Sequence, residues 1–227
     1  MSGFSPEVQA VIDGAPFGAG KEPGEQGSVE WLMERVGKVT ASRFRDVLDY
    51  TAKGKEGAKR RKYRMNLIVE RLTGKPFEHY VTPAMETGIE REPAAKMAYE
   101  AATGAMIAET GFLHHPTLEW TGGSPDGLVG EDGGVECKCP TPGTHIDLLL
   151  TGDVSEYTAQ CQGLMWITGR QHWDLVSYCP DLPEEYQLFI VRLPRDDDYI
   201  AKLEIAVADF LAEIQFTLNA LAKTAKA

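Results

Sequence analysis

GSPDGLVGEDGGVECKCP, residues 123–140, sets two short apolar runs on either side of a glycine-rich turn and places Asp126, Glu136 and Lys138 along them. The segment GGVECKC is too short to read as a helix. Read as a strand, its period of two puts Glu136 and Lys138 on one face and Val135, Cys137 and Cys139 on the other. GEDGG, residues 130–134, predicts the hairpin turn. A hairpin brings its strands to a spacing of about 5 Å, which sets Asp126 beside Glu136. Two carboxylates held this close repel unless a cation lies between them. Mg²⁺ takes hard oxygen ligands and suits that place. The Lys138 ammonium could orient or activate a metal-bound water, or stabilise charge developing on phosphate. The combination points to phosphodiester hydrolysis, and spacing alone leaves a surface hairpin with an ordinary Glu–Lys pair as the competing reading.

Outward from this hairpin the pattern is helical on the N-terminal side. SVEWLMERVG (28–37) reads as a helix with Ser28 as cap and Gly37 as stop. TASRFRDVLDY (40–50) reads as a second short helix, opened by Thr40 or Ser42. RRKYRMNLIVERLTG reads as a third, ending at Gly74. TPAMETGIEREPAAKMAYEAATG has Thr82 as cap, Pro83 at the first helical position and Gly104 as stop, with Pro93 predicted to kink or divide it. AMIAETGFLHH, LEWTGG, DGLVG and GGVECKC then read as short strands. SEYTAQCQGLMWITG (155–169) is helical, HWDLVSYC and YQLFIVRL are strands, and a long helix runs from about Asp197 to Ala222. The expected fold class is α/β (α+β): a mixed central sheet of about five strands flanked by helices. One domain over 1–227 is expected, with 1–28 an N-terminal helix and loop, GAPFGAGKEPGEQGS (14–28) being the loop, and 29–227 the core.

The net charge of −11 argues against a generic nucleic-acid binder, but the charges are unevenly placed. TAKGKEGAKRRKYR (51–64) carries Lys53, Lys55, Lys59, Arg60, Arg61, Lys62 and Arg64 against one acid, Glu56. An acidic exterior with one basic patch suits a protein that admits a polyanion at a defined place. Cys137, Cys139, Cys161 and Cys179 form no paired metal-binding spacing and read as buried free thiols. His114 and His115 lack a second pair for zinc, and Trp120, Trp166 and Trp173 alternate with apolar positions and read as core. No apolar run of about 18 residues is seen, and no basic-then-apolar leader, so a cytoplasmic protein without membrane partners is expected.

SPDG followed by ECK resembles the nuclease signature of a Pro-Asp and a later Glu-x-Lys. More closely, GKVTAS (37–42), TGIEREPAA (87–95), GGSPDGL (122–128), VECKCP (135–140) and AQCQGLMWIT (159–168) occur in the order and approximate spacing of the lambda-exonuclease-type (YqaJ-like) viral recombinase family, within the PD-(D/E)xK nuclease superfamily. The resemblance covers roughly residues 28 to 215 and implies a restriction-endonuclease-like core. It implies that Asp126, Glu136 and the main-chain carbonyl of Cys137 bind metal, two Mg²⁺ ions with Mn²⁺ as a substitute, and that Lys138 activates the attacking water. An upstream helix glutamate completes the catalytic set. Glu92 fits the spacing from Gly88, and Glu90 competes; residues two apart on a helix point about 200° apart, so only one faces the site. The resemblance also assigns Arg35 and Ser42 to a 5′-phosphate pocket and Gln160, with Gln162 as a substitute, to DNA contact. A guanidinium pairs well with phosphate, and a helix N-terminus near Ser42 would favour an anion.

The implied activity is a Mg²⁺-dependent 5′→3′ exonuclease on double-stranded DNA ends, releasing 5′-mononucleotides and leaving a 3′ strand for recombination by annealing. The implied assembly is a homotrimer ring with a single-strand annealing protein as partner, in phage-type DNA recombination. The alternatives are an endonuclease of the same fold and a catalytically silent DNA-end-binding protein.

Overall fold

The computed structural model describes residue 24, residues 26–77 and residues 83–225, with backbone alone at 83–85. The expected first helix, most of the loop 14–28 and the Thr82 cap lie outside the described residues. Helix α1 (Val29–Arg35) starts where Ser28 Oγ accepts the Trp31 N–H at 3.1 Å. The chain leaves it through Gly37, whose φ is +71° and where a Cβ would lie only 2.7 Å from Arg71 Cγ.

Strand β1 (Val39–Thr40) follows, then a 3-10 turn at Ala41–Arg43 and the single-turn helix α2 (Phe44–Val47). The expected helix over 40–50 is thus reduced to these two pieces. Thr40 makes no side-chain cap, and its N–H goes instead to Tyr63 Oη at 3.0 Å. Helix α3 (Ala58–Thr73) stops at Gly74 in the left-handed region. Helix α4 (Pro83–Thr103) runs unbroken through Pro93 and ends before Gly104. Proline there removes one i→i−4 bond without ending the helix.

AMIAETGFLHH does not form one strand but two, β2 (Ile107–Ala108) and β3 (Leu113–His114), which join different sheets. Strands β4 (Thr121–Gly123), β5 (Gly127–Val129) and β6 (Gly133–Lys138) come next. Helix α5 (Pro142–Thr151) is a helix that the sequence reading did not assign, although Pro142 at its start and Gly152 at its stop mark it. Helix α6 (Ser155–Thr168), strands β7 (His172–Tyr178) and β8 (Leu188–Pro194), and helix α7 (Asp197–Thr224) complete the described chain.

The main sheet has five strands in the order β2-β5-β6-β7-β8, antiparallel except for the parallel β6–β7 pair, so the expected mixed five-stranded sheet is present. A smaller sheet, β1-β4-β3, adjoins it. β6 and β7 pair closely because Gly134 leaves its face to the fully buried Trp173, whose ring would meet a Cβ there at 2.2 Å. One core joins Phe44, Tyr63, Leu67, Leu164, Met165, Trp173, Leu203, Val207 and Phe210. A second, on the other face of β6, joins Ala95, Tyr99, Val135, Cys137 and Val176, with Cys139 packed against it. Helix α7 is long and apolar enough to cross a membrane by length and composition, a property the short apolar runs did not suggest. Its residues Ile200, Leu203, Val207, Phe210 and Ile214 recur at helical spacing and are buried in the core.

Candidate active site

The β5–β6 hairpin pairs Gly127 with Val135, so the next antiparallel position sets Asp126 across from Glu136. Both side chains are buried. Asp126 Oδ2 accepts the Cys137 N–H at 2.7 Å. A strand residue's N–H and C=O point to the same side, so the Cys137 carbonyl is turned toward Asp126 as well. Glu136 Oε1 accepts from Lys138 Nζ at 2.6 Å and from Gln160 Nε2 at 2.5 Å. Its Oε2 is buried without a hydrogen-bond partner. Burial, then the charges of Glu136 and Glu92, hold the Asp126 carboxyl well above its ordinary pKa, against the opposing Lys138 charge and the Cys137 N–H. Burial alone would lower the Lys138 pKa, but Glu136 and Asp126 overcome it and raise it. Lys138 is therefore an ammonium at neutral pH.

Helix α4 brings Glu92 and not Glu90 toward this pair: Glu90 is exposed, whereas Glu92 is half-buried and acts electrostatically on Asp126. Glu92 is held by Lys96 at 3.0 Å, one helical turn on. Lys96 also reaches Glu109 at 3.3 Å. Sequence reasoning missed Lys96, although its i+4 spacing from Glu92 was visible.

Arg35 closes another side. Its Nη1 donates to Ser124 Oγ at 3.1 Å, and Trp31 Nε1 donates to the same oxygen at 2.7 Å. Burial lowers the Arg35 pKa, while Tyr63, Glu70 and Glu136 oppose the shift, so the guanidinium lies within the electrostatic reach of the carboxylate site. Ser124, in the SPDG motif itself, is the partner the sequence reading missed. Ser42 is exposed, and its hydroxyl lies 3.4 Å from Thr40 Oγ1. The helix N-terminus expected to favour an anion there is a 3-10 turn followed by four helical residues.

Gln160 faces the site, bonded to Glu136 and 3.4 Å from Lys138 Nζ. Gln162 does not: it is buried between the Pro194 carbonyl and the Asp196 N–H, at 2.8 and 2.9 Å. The basic segment divides in two. Arg60 is buried and bonded to Glu213 and Glu56, and Arg64 to Glu56, so these two tie α3 to its surroundings. Lys53, Lys55, Lys59, Arg61 and Lys62 are exposed. Trp166 and Trp173 are core, as expected, but Trp120 is 38% exposed. His115 packs its ring 4.1 Å from that of Trp166, and His114 lies edge-on to Phe112.

Among the described residues, no three or more His, Cys, Asp or Glu side chains gather into a group that could hold a metal by themselves. Two carboxylates do meet, however. The unpartnered Glu136 Oε2, the buried Asp126 carboxyl and the nearby Cys137 carbonyl form an all-oxygen set that fits a hard divalent cation.

A model of the YqaJ-like viral recombinase domain matches residues 30–171. Among curated proteins there is no significant match. An alkaline exonuclease from Laribacter hongkongensis is 43% identical to this chain, with a TM-score of 0.81 over 87% of this chain and 97% of its own. The structure of that enzyme in complex with dAMP aligns with the same figures. A phage-related exonuclease from Haemophilus somnus 129PT is 17% identical with a TM-score of 0.68, over 81% of this chain and 96% of its own, and shares the fold. The matched residues 30–171 include Arg35, Glu92, Ser124, Asp126, Glu136, Lys138 and Gln160. The chain belongs to the YqaJ-like viral recombinase family.

Proposed function

We propose that this chain is a Mg²⁺-dependent 5′→3′ exonuclease of double-stranded DNA ends that releases 5′-mononucleotides and leaves a 3′ single strand. The observation that carries the reading is the buried Asp126–Glu136 pair, with one carboxylate oxygen free and the other held by Lys138 and Gln160. Bound Mg²⁺ would supply a Lewis acid and an activated water at that oxygen set. Asp126, Glu136 and the Cys137 carbonyl would hold it, and Glu92 is the next carboxylate in reach of its field. Lys138, an ammonium that donates in both of its recorded bonds, is suited to stabilise charge developing on the phosphate.

Arg35 and Ser124 supply a guanidinium and a hydroxyl beside the carboxylates, a pairing suited to a terminal 5′-phosphate, and the family resemblance adds Ser42 to that pocket. The dAMP complex of the 43%-identical exonuclease is consistent with mononucleotide release. In this reading one nuclease domain spans the chain, works in the cytoplasm as a homotrimer around DNA, and hands its 3′ strand to an annealing protein.

The test uses linear duplexes labelled at either end, with Mg²⁺ or chelator, and with or without a 5′-phosphate. Metal-dependent mononucleotide release from the 5′-ended strand, faster with the phosphate, is expected. Cutting of closed circular DNA would overturn the exonuclease reading. Retained degradation in Asp126→Ala or Lys138→Ala would overturn the site.

A further inference from the structure

Three aromatic rings and three cations interleave on the face beside Arg35. The Arg35 guanidinium lies 4.3 Å from the Trp31 ring centroid and 5.8 Å from that of Phe112. Lys38 Nζ lies 6.0 Å from the Phe112 and Trp120 rings alike. The Arg71 guanidinium lies 4.2 Å over the Trp120 ring. None of these three cations forms an ion pair with a carboxylate among the described residues. Arg71 donates to the Gly37 carbonyl at 2.8 Å and Lys38 to the Glu34 carbonyl at 2.6 Å. The acids in electrostatic reach of Lys38, Glu34 and Glu119, are exposed.

Trp120 is anchored through its backbone. Its carbonyl accepts the Val39 N–H at 2.8 Å, and Gly37 lies against its ring. Glu70 and Arg71 grip the N–H and C=O of Gly37 from α3. Yet the ring is 38% exposed. Isolated exposed apolar side chains are common and need no explanation. An indole backed by a guanidinium, beside an ammonium, is instead the arrangement on which nucleic-acid bases stack. Trp120 precedes Ser124 by four residues along extended chain, a span of about 13 Å.

We propose that Trp120 is a stacking platform for an unpaired base of the DNA strand whose 5′ end reaches the Arg35–Ser124 corner, with Lys38 and Arg71 supplying positive charge beneath and beside it. The proposal rests on the reading of the chain as a DNA exonuclease and adds a subsite for single-stranded DNA outside the carboxylate centre.

The test is fluorescence anisotropy with the full chain in chelator, so that no turnover occurs. The probes are a blunt duplex and a duplex whose 5′-phosphorylated strand carries an unpaired tail of several nucleotides. Stacking contributes about 1–3 kcal/mol per base, so Trp120→Ala is expected to weaken binding of the tailed duplex roughly 5- to 150-fold. Its effect on the blunt duplex should be smaller. Trp120→Phe should restore most of the affinity, and Lys38→Gln should lower the salt slope of tailed-duplex binding by about one. Equal tailed-duplex affinity in wild type and Trp120→Ala, or no binding of that probe by wild type, would overturn the platform. Nucleotide release by wild type with Mg²⁺ is scored separately. Its absence alongside a Trp120-dependent affinity would overturn the exonuclease reading and leave the platform standing.

Discussion

Burial and the charges of Glu136 and Glu92 hold the Asp126 carboxyl well above its ordinary pKa. Because its folded pKa is raised, its stabilising contribution is complete below about pH 4, the unfolded value, and is lost as pH rises through the folded value. Asp126→Asn keeps an acceptor for the Cys137 N–H and removes the charge. In chelator at pH 7 it is expected to raise the melting temperature, by roughly 2–4 °C for each kcal/mol of relieved repulsion, while abolishing hydrolysis. A lower melting temperature than wild type at pH 7 would contradict the shift. Gln160 poses a different question, because the family resemblance assigns it to DNA whereas the structure bonds it to Glu136. As a positioning residue it should behave so that Gln160→Ala lowers kcat about 10- to 100-fold and leaves DNA affinity in chelator unchanged. A loss confined to affinity would return it to the DNA-contact role. Asp126, Glu136 and Lys138 were legible because period two and one hairpin turn determine their placement. Ser124 meeting Trp31 and Arg35 was not, since the contacts span 93 and 89 residues and no local periodicity records them.

At the scale of elements, α4 matters because it carries Glu92, and what fixes it on the sheet is a polar link. Tyr99 Oη on α4 donates to Asp174 Oδ2 on β7 at 2.7 Å. Arg192 on β8 donates to both Asp174 oxygens at 2.7 and 2.8 Å. Burial pushes the Asp174 pKa up, but the bonds from Arg192 and Tyr99 outweigh it and hold the carboxyl below its ordinary value. This link therefore stabilises the fold above about pH 4 and is lost as pH falls through the lowered folded value. Arg192→Ala should destabilise the protein by about 1–2 kcal/mol, reduced from the full value of charged hydrogen bonds because Arg192 is largely exposed. The gap between wild type and variant should narrow in melting scans taken below pH 4, and a constant gap would exclude Asp174 as the titrating group. Sequence periodicity found most elements, yet it missed this link, since HWDLVSYC reads as a strand whatever Asp174 bonds to, and its partners Tyr99 and Arg192 lie on other elements. It also merged β2 with β3, where the irregular segment between them sends each strand to a different sheet.

For the whole molecule the question is how a chain of net charge −11 handles a polyanion. Composition alone marked 51–64 as one basic patch, and folding separates its charges by role. Glu56 and Glu213 take up Arg60 and Arg64, which leaves Lys53, Lys55, Lys59, Arg61 and Lys62 facing solvent. That division could not be read from the sequence, because Glu213 is 153 residues from Arg60. The two groups should therefore respond oppositely to substitution. Arg60 is 2% exposed in its side chain while Glu213 and Glu56 are part-exposed, so Arg60→Ala should cost about 1–3 kcal/mol of stability, from lost charged hydrogen bonds and packing rather than from a stranded buried charge. At a temperature where the variant remains folded, the salt dependence of its DNA binding should be that of wild type. Lys59→Gln, Arg61→Gln and Lys62→Gln should leave the folding stability within about 0.5 kcal/mol of wild type, as ordinary surface substitutions do. If they face DNA, each should reduce the slope of log K against log salt by about one. Binding titrations from 50 to 200 mM salt, paired with melting curves, measure both quantities on the same samples. A slope unchanged by all three glutamine variants would place the DNA elsewhere on the molecule, and a slope changed by Arg60→Ala would mean that the buried guanidinium is not confined to its structural pair.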